Sequence, residues 1–183
     1  MGGCGERLRE IQQQIQGQPE SNSSTAPPPA LPAPEPGAPA PSQETQTVVL
    51  YFSDAQGKGL VKEERSIPKV EGIARATIEE LIKGPAPGSA LIPTIPQGTQ
   101  LKDINVRKDG LCIVDFSEEL VKNHKGGSTG EALTVYSIVN TLAQFPTVKQ
   151  VKILVDGKEI QSLAGHLDVS EALAPDHSLV IGQ

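Results

Sequence analysis

Residues 17–46 read GQPESNSSTAPPPALPAPEPGAPAPSQETQ, and this run constrains the fold more than any other feature of the chain. Nine of the sixteen prolines lie inside it. Each proline fixes φ and removes a backbone donor, so neither helix nor sheet can run through such a segment. Its other residues are mostly Ala, Ser, Glu and Gln, which bury too little apolar surface to offset the entropy of ordering. An extended polyproline II path at about 3.1 Å per residue would reach up to roughly 90 Å. Pro29-Ala30-Leu31-Pro32 fits PxxP, but no Arg or Lys flanks it, and a spacer is the simpler reading. The chain therefore divides into an N-terminal segment 1–16, a linker 17–46 and a folded domain 47–183.

Composition narrows the function. The 183 residues carry a formal charge of −6, which disfavours a polyanionic partner, so no nucleic acid is expected. There is no Trp and aromatics are 3%, leaving no platform for stacking bases or sugars. Two cysteines, Cys4 and Cys112, are too few for a disulfide framework or a cysteine zinc site. No run of about 18 apolar residues is present to span a membrane.

In MGGCGERLREIQQQIQ, Cys4 follows Gly2-Gly3. A small residue before cysteine is how a bacterial lipoprotein signal ends, although no apolar stretch precedes it here. Two readings stand: a lipidated Cys4, or an incidental thiol. The spacer that follows favours the first, because a tether needs something held at its end. A diacylglyceryl group supplies the two chains that stable anchoring requires.

The domain reads as alternating short elements. Thr47–Phe52 is a buried strand, and Leu60–Ile67 an edge strand paired with it. Val70, Ala74, Ile78 and Leu81 share one helical face, and Lys83-Gly84-Pro85 ends that helix. Residues 85–99 form a loop with four prolines. Asp109-Gly110 between two β-type runs predicts a type I′ hairpin. Ser117 precedes a short helical turn as its cap, and Ser128-Thr129-Gly130-Glu131 has capping-box spacing. Val135, Ile138, Val139 and Leu142 stripe a second helix, Val151, Ile153 and Val155 form a strand, and Asp156-Gly157 a tight turn. A last strand is expected at Ser178–Ile181. The order β-β-α-β-β-α-β defines an α+β fold, a mostly antiparallel sheet with two helices packed on one face.

Chemistry is sparse. No phosphate-binding, zinc-protease or nucleophile-elbow motif is present. His166 and Asp168 would share a strand face, but a catalytic zinc needs a third ligand, and His124 or His177 would have to be brought in by the fold. Backbone bonding at a turn explains the pair more simply. Cys112 in mid-strand fits a buried inert thiol. Asp115 and Glu118 fit capping positions better than an acid–base pair. Gly126-Gly127-Ser128 before a helix suits an anion, with Glu131 opposing it. No catalytic residue, cofactor or metal is assigned, and the chain reads as no enzyme.

Tyr51-Phe52-Ser53-Asp54, Leu60-Val61-Lys62-Glu63, Leu81-Ile82-Lys83-Gly84-Pro85, Ile95-Pro96-Gln97-Gly98-Thr99, Val114-Asp115-Phe116-Ser117, Phe145-Pro146, Val155-Asp156-Gly157 and Gly165-His166-Leu167-Asp168 follow in order. Together they resemble the GerMN domain family of GerM-like sporulation and spore-germination lipoproteins, over about residues 47–174. The resemblance implies a non-enzymatic, extracytoplasmic protein-interaction module, lipid-anchored through Cys4. Its fold would be similar to ring-building motifs, an αββαβ core with an added N-terminal hairpin. It implies envelope proteins as partners, with self-association into lateral or ring assemblies in sporulation or germination. GerM-type members carry two such domains, whereas this chain shows one. The alternative is a cell-wall or small-solute binding module using the loop at 85–99.

Overall fold

The structure is a computed structural model that describes residues 44–182. Cys4 and nearly all of the 17–46 linker lie outside the described residues. Strand β1 (Thr45–Ser53) begins inside the stretch read as linker and pairs antiparallel with β2 (Leu60–Pro68). Helix α1 (Ile73–Lys83) leads to the hairpin β3 (Leu101–Val106) and β4 (Leu111–Phe116). A single-turn helix α2 (Glu119–Lys122), the long helix α3 (Ser128–Ala143), strand β5 (Gln150–Val155) and the short β6 (Lys158–Glu159) complete the order. The second sheet runs β3-β4-β5-β6. From α1 to β5 this is the expected αββαβ succession, with β1-β2 as the added hairpin.

One pairing differs from the rest: β4 and β5 are parallel. The α3 crossover between them imposes this, because a strand returning through a helix enters from the same end. The register places Cys112 opposite Val151, Val114 opposite Ile153 and Phe116 opposite Val155, and all six are buried. One pleat face of both strands thus meets the helices, α1 against β3 and α3 against β5, and both helices also pack on β1. Val48, Leu50 and Phe52 of β1 join Ile78, Leu81, Ile138 and Leu142 in the same core. Burying a side chain such as Phe52 or Phe116 contributes about 1.5–3 kcal/mol.

Helix α1 starts after Gly72, at φ 80, rather than at Val70. Val70 lies ahead of the Glu71-Gly72 turn and is 48% exposed, whereas Ala74, Ile78 and Leu81 are buried as their spacing predicts. Gly84, at φ 92, closes the helix by donating to Leu81 O. The β3–β4 turn is not type I′. Among its residues only Gly110 has positive φ, and Gly110 N bonds Arg107 O at 3.1 Å. Lys108 and Asp109 are therefore the central pair of an ordinary turn, with Gly110 as the left-handed residue after it. The type I′ geometry appears instead at Asp156 (φ 51) and Gly157 (φ 72), between β5 and β6. The expected last strand is a 3-10 turn, His177–Leu179, followed by a single parallel bridge between Val180 and Leu60.

The two edges of the β1-β2 hairpin are treated differently. Along β1, Val49 N and O both bond the side-chain amide of Gln144, and Ser53 exchanges backbone bonds with Ile92 at 3.1 and 2.9 Å. These groups alternate with the ones that face β2. By the same alternation Leu60, Lys62, Glu64 and Ser66 direct their backbone groups off the outer edge of β2. Ile181 N covers Leu60 O at 2.7 Å. Among the described residues nothing covers Lys62, Glu64 or Ser66, whose side chains are also exposed. Glu63 and Arg65 are engaged elsewhere, Arg65 spanning Glu63 and Glu80 in an ion-pair cluster.

Candidate functional site

The four-proline loop is pinned along its length rather than loose. Besides the Ser53–Ile92 bridge, Thr134 Oγ1 donates to Thr94 O at 2.6 Å, Asn123 Nδ2 to Gln97 O at 2.8 Å, and Thr99 Oγ1 to Pro96 O at 2.8 Å. Between this loop, the Gly57 turn and residues 123–134 lies a cleft of about 820 Å³. Ile92, Pro93, Pro96 and Leu133 form apolar walls, while Asn123, His124 and Lys125 supply polar groups.

His124 ties the segment entering α3 to the loop. Its Nδ1 accepts from Gly126 N at 3.0 Å, which leaves the ring hydrogen on Nε2, 3.2 Å from Thr134 Oγ1. The hydroxyl of Thr134 passes the chain on to Thr94 O. Gly126 (φ 77) and Gly127 (φ 88) then turn the backbone into α3, a conformation that favours glycine. The helix begins with Gly127 as N-cap and no side-chain cap.

Here the predicted capping box fails, and the reason is tertiary. Glu131 is 0% exposed and directs its carboxylate to a distant loop. Oε1 accepts from Leu163 N at 2.8 Å and Ala164 N at 2.9 Å, and Oε2 from His166 N at 2.8 Å. Burial alone would raise its pKa, but the amides of Ala164, His166, Leu163 and Leu167 outweigh burial and hold it below the ordinary range. Three amides of an irregular segment thus find their acceptor on a helix more than thirty positions earlier.

The remaining sequence candidates separate. His166 enters through its backbone, with an exposed ring, and Asp168 Oδ1 accepts from Ser170 N at 2.8 Å and Ser170 Oγ at 2.6 Å, a turn closure. His124 lies at the cleft and His177 in the exposed 3-10 turn, and among the described residues no three His, Cys, Asp or Glu side chains converge as a metal site. Asp115 accepts from Gly157 N at 2.9 Å, while Glu118 pairs with Lys122. Ser117 does not cap α2: its Oγ accepts from Gln100 N at 2.9 Å and so ties the entry of β3 to the exit of β4. Cys112 is buried, and burial pushes its thiol up to about 12. Sequence reasoning missed Gln144 and the destination of Glu131; the proline-dense loop was the available signal for the cleft.

This arrangement defines a class, an αββαβ domain with an N-terminal hairpin and a clamped C-terminal loop. Residues 49–161 match the family described as Germane: Sporulation and spore germination. The chain belongs to this family, and a sporulation-related role follows from membership. It is 32% identical over 140 residues to spore germination protein GerM of Bacillus subtilis, covering 72% of this chain and 37% of that relative's length. Among solved structures, the tandem GerMN domains of B. subtilis GerM superpose with a TM-score of 0.62 at 26% identity, covering 72% of this chain and 46% of that one. The first GerMN domain alone gives 0.61 at 27% identity, covering 71% of this chain and 98% of that one. A candidate lipoprotein of Clostridium perfringens gives 0.54 at 25% identity, covering 79% and 99% respectively. The GerMN resemblance and the α+β fold read from the sequence hold. No described helix is long and apolar enough to cross a membrane.

Proposed function

We propose that this chain is a non-enzymatic, extracytoplasmic interaction module. It is held at the membrane by a lipid on Cys4, with residues 17–46 as tether and the domain from 47 onward engaging envelope proteins in sporulation. The tether raises the local concentration of the domain around membrane-bound partners. The contact is the outer edge of β2, where a partner strand, or the same edge of a second copy, adds to Lys62, Glu64 and Ser66. The observation that carries this reading is the asymmetry of the hairpin: on β1 Gln144 and Ile92 bond two outward-facing residues, Val49 and Ser53, whereas on β2 three in a row, Lys62, Glu64 and Ser66, are exposed and without a backbone partner among the described residues. Family membership and a relative described as a candidate lipoprotein support the setting.

Glu64→Pro tests the contact, because its N–H points away from β1 and a proline there leaves the hairpin bonds intact. Cross-linking in the native membrane should recover envelope partners with the unaltered chain and lose them with E64P. Unchanged recovery rejects the edge. Mass spectrometry of Cys4 from the native cell, with and without globomycin, tests the anchor, and a free thiol rejects it.

A further inference from the structure

The cleft beside α3 has the make-up of a ligand site, independently of the strand edge. Its volume of about 820 Å³ falls in the range of small-molecule pockets, about 300–1,000 Å³. Three observations define what would fit. First, the walls are apolar, and Ile92 at the rim stays 44% exposed. Second, the lining holds Lys125 and His124 and no carboxylate, in a chain of formal charge −6. Lys125 makes no ion pair among the described residues. Third, α3 has no side-chain cap because its N-cap is Gly127, and Glu131, the one carboxylate of its first turn, bonds residues 163–166; Gly130 of that turn lines the cleft. The amides of the turn keep their partial positive charge.

We propose that this cleft binds a small carboxylic acid with an apolar body. The carboxylate sits at Lys125 and the amide of Gly130 at the start of α3, and the body lies on Ile92, Pro93, Pro96 and Leu133. Free organic acids and the C-terminal residue of an apolar peptide share this chemistry.

Titrating the whole chain with hexanoate, hexanamide, Ala-Ala-Leu and Ala-Ala-Leu-amide, followed by amide chemical shifts, tests the assignment. Hexanoate and the free tripeptide should shift residues 92–97 and 123–130, and the two amides should not. Lys125→Ala should weaken hexanoate roughly threefold to fivefold. Gly130→Leu should abolish the shifts: its nearest neighbour to a new Cβ is His124 Cε1 at 4.0 Å, so the side chain enters the cleft. Leucine also favours helix, so this variant keeps the fold. Tighter binding of the tripeptide points to a polypeptide end as the source, tighter binding of hexanoate to a free acid, and either supports the site. Equal shifts from acids and amides, shifts that survive G130L, or no shift in the cleft with either acid would overturn it.

Discussion

The side-chain amide of Gln144 is bonded to both backbone groups of Val49: Oε1 accepts from Val49 N at 2.8 Å and Nε2 donates to Val49 O at 2.8 Å. Gln144 sits just past the end of α3 and Val49 in the middle of β1, so a single side chain imitates one residue of a neighbouring strand. This tie fixes the hairpin against the end of α3 and closes the middle of the edge that β1 would otherwise offer.

Gln144→Ala removes both partners of Val49 at once. A loss of about 1–3 kcal/mol is expected from leaving half-buried backbone groups unsatisfied, read as a lower urea midpoint at unchanged slope. A midpoint equal to that of the unaltered chain would show that water replaces the amide without penalty.

Glu131 gives stability a defined pH dependence. Its folded-state pKa lies below the unfolded value, so the unfolded chain takes up the proton first. The carboxylate's contribution is complete above the unfolded value, about 4.3, and declines as pH falls from there through the folded value. Glu131→Gln keeps one acceptor for Leu163 and Ala164 but presents donors to His166 N. It should cost about 2–3 kcal/mol at neutral pH, with the gap between variant and parent shrinking below about pH 4. Denaturant melts at pH 7 and pH 3 measure both, and a gap that widens on acidification contradicts the assignment.

Two threonines are expected to be better as valines. Thr94 Oγ1 and Thr141 Oγ1 are buried without partners, and Val replaces Thr with nearly the same shape. Each substitution should stabilise the ligand-free protein by about 1 kcal/mol, while Thr134→Val, which loses its bond to Thr94 O, should destabilise by a similar amount. Thermal melts of the three single variants distinguish the signs.

Cys112 should be inert while the domain is folded. With Cys4 replaced by Ser, it is the sole thiol, and burial holds it protonated up to about 12. Thiol reagents at pH 8 should label it only as fast as the domain unfolds, so labelling accelerates with denaturant. Rapid labelling in native buffer would place the thiol in a more open setting than mid-strand β4.

Most of the elements were legible because their signals are local. Alternation predicts β4 and β5, and Cys112, Val114 and Phe116 do face the core together. The stripe of Val135, Ile138, Val139 and Leu142 is buried as its period requires. Where the local signal erred, a local competitor was stronger: Gly72 restarts the backbone after Val70, and Asp109 keeps negative φ because Gly110 alone absorbs the turn. The turn reading of Asp168 also holds, since Ser170 supplies both donors.

Sequence by itself determined the alternation of helices and strands, the tight turn at Asp156-Gly157 and membership of the sporulation family, because each rests on neighbouring residues whose backbone preferences and spacing are written side by side. Only the tertiary structure decided that Glu131 abandons its own helix for residues 163–166, that Gln144 binds Val49 of β1, that β4 and β5 run parallel, and that a proline-dense loop walls a cleft. These depend on groups brought together across the chain. A buried carboxylate or amide bonds to whichever unpaired backbone group packing sets beside it, and spacing along the sequence carries no record of that neighbour.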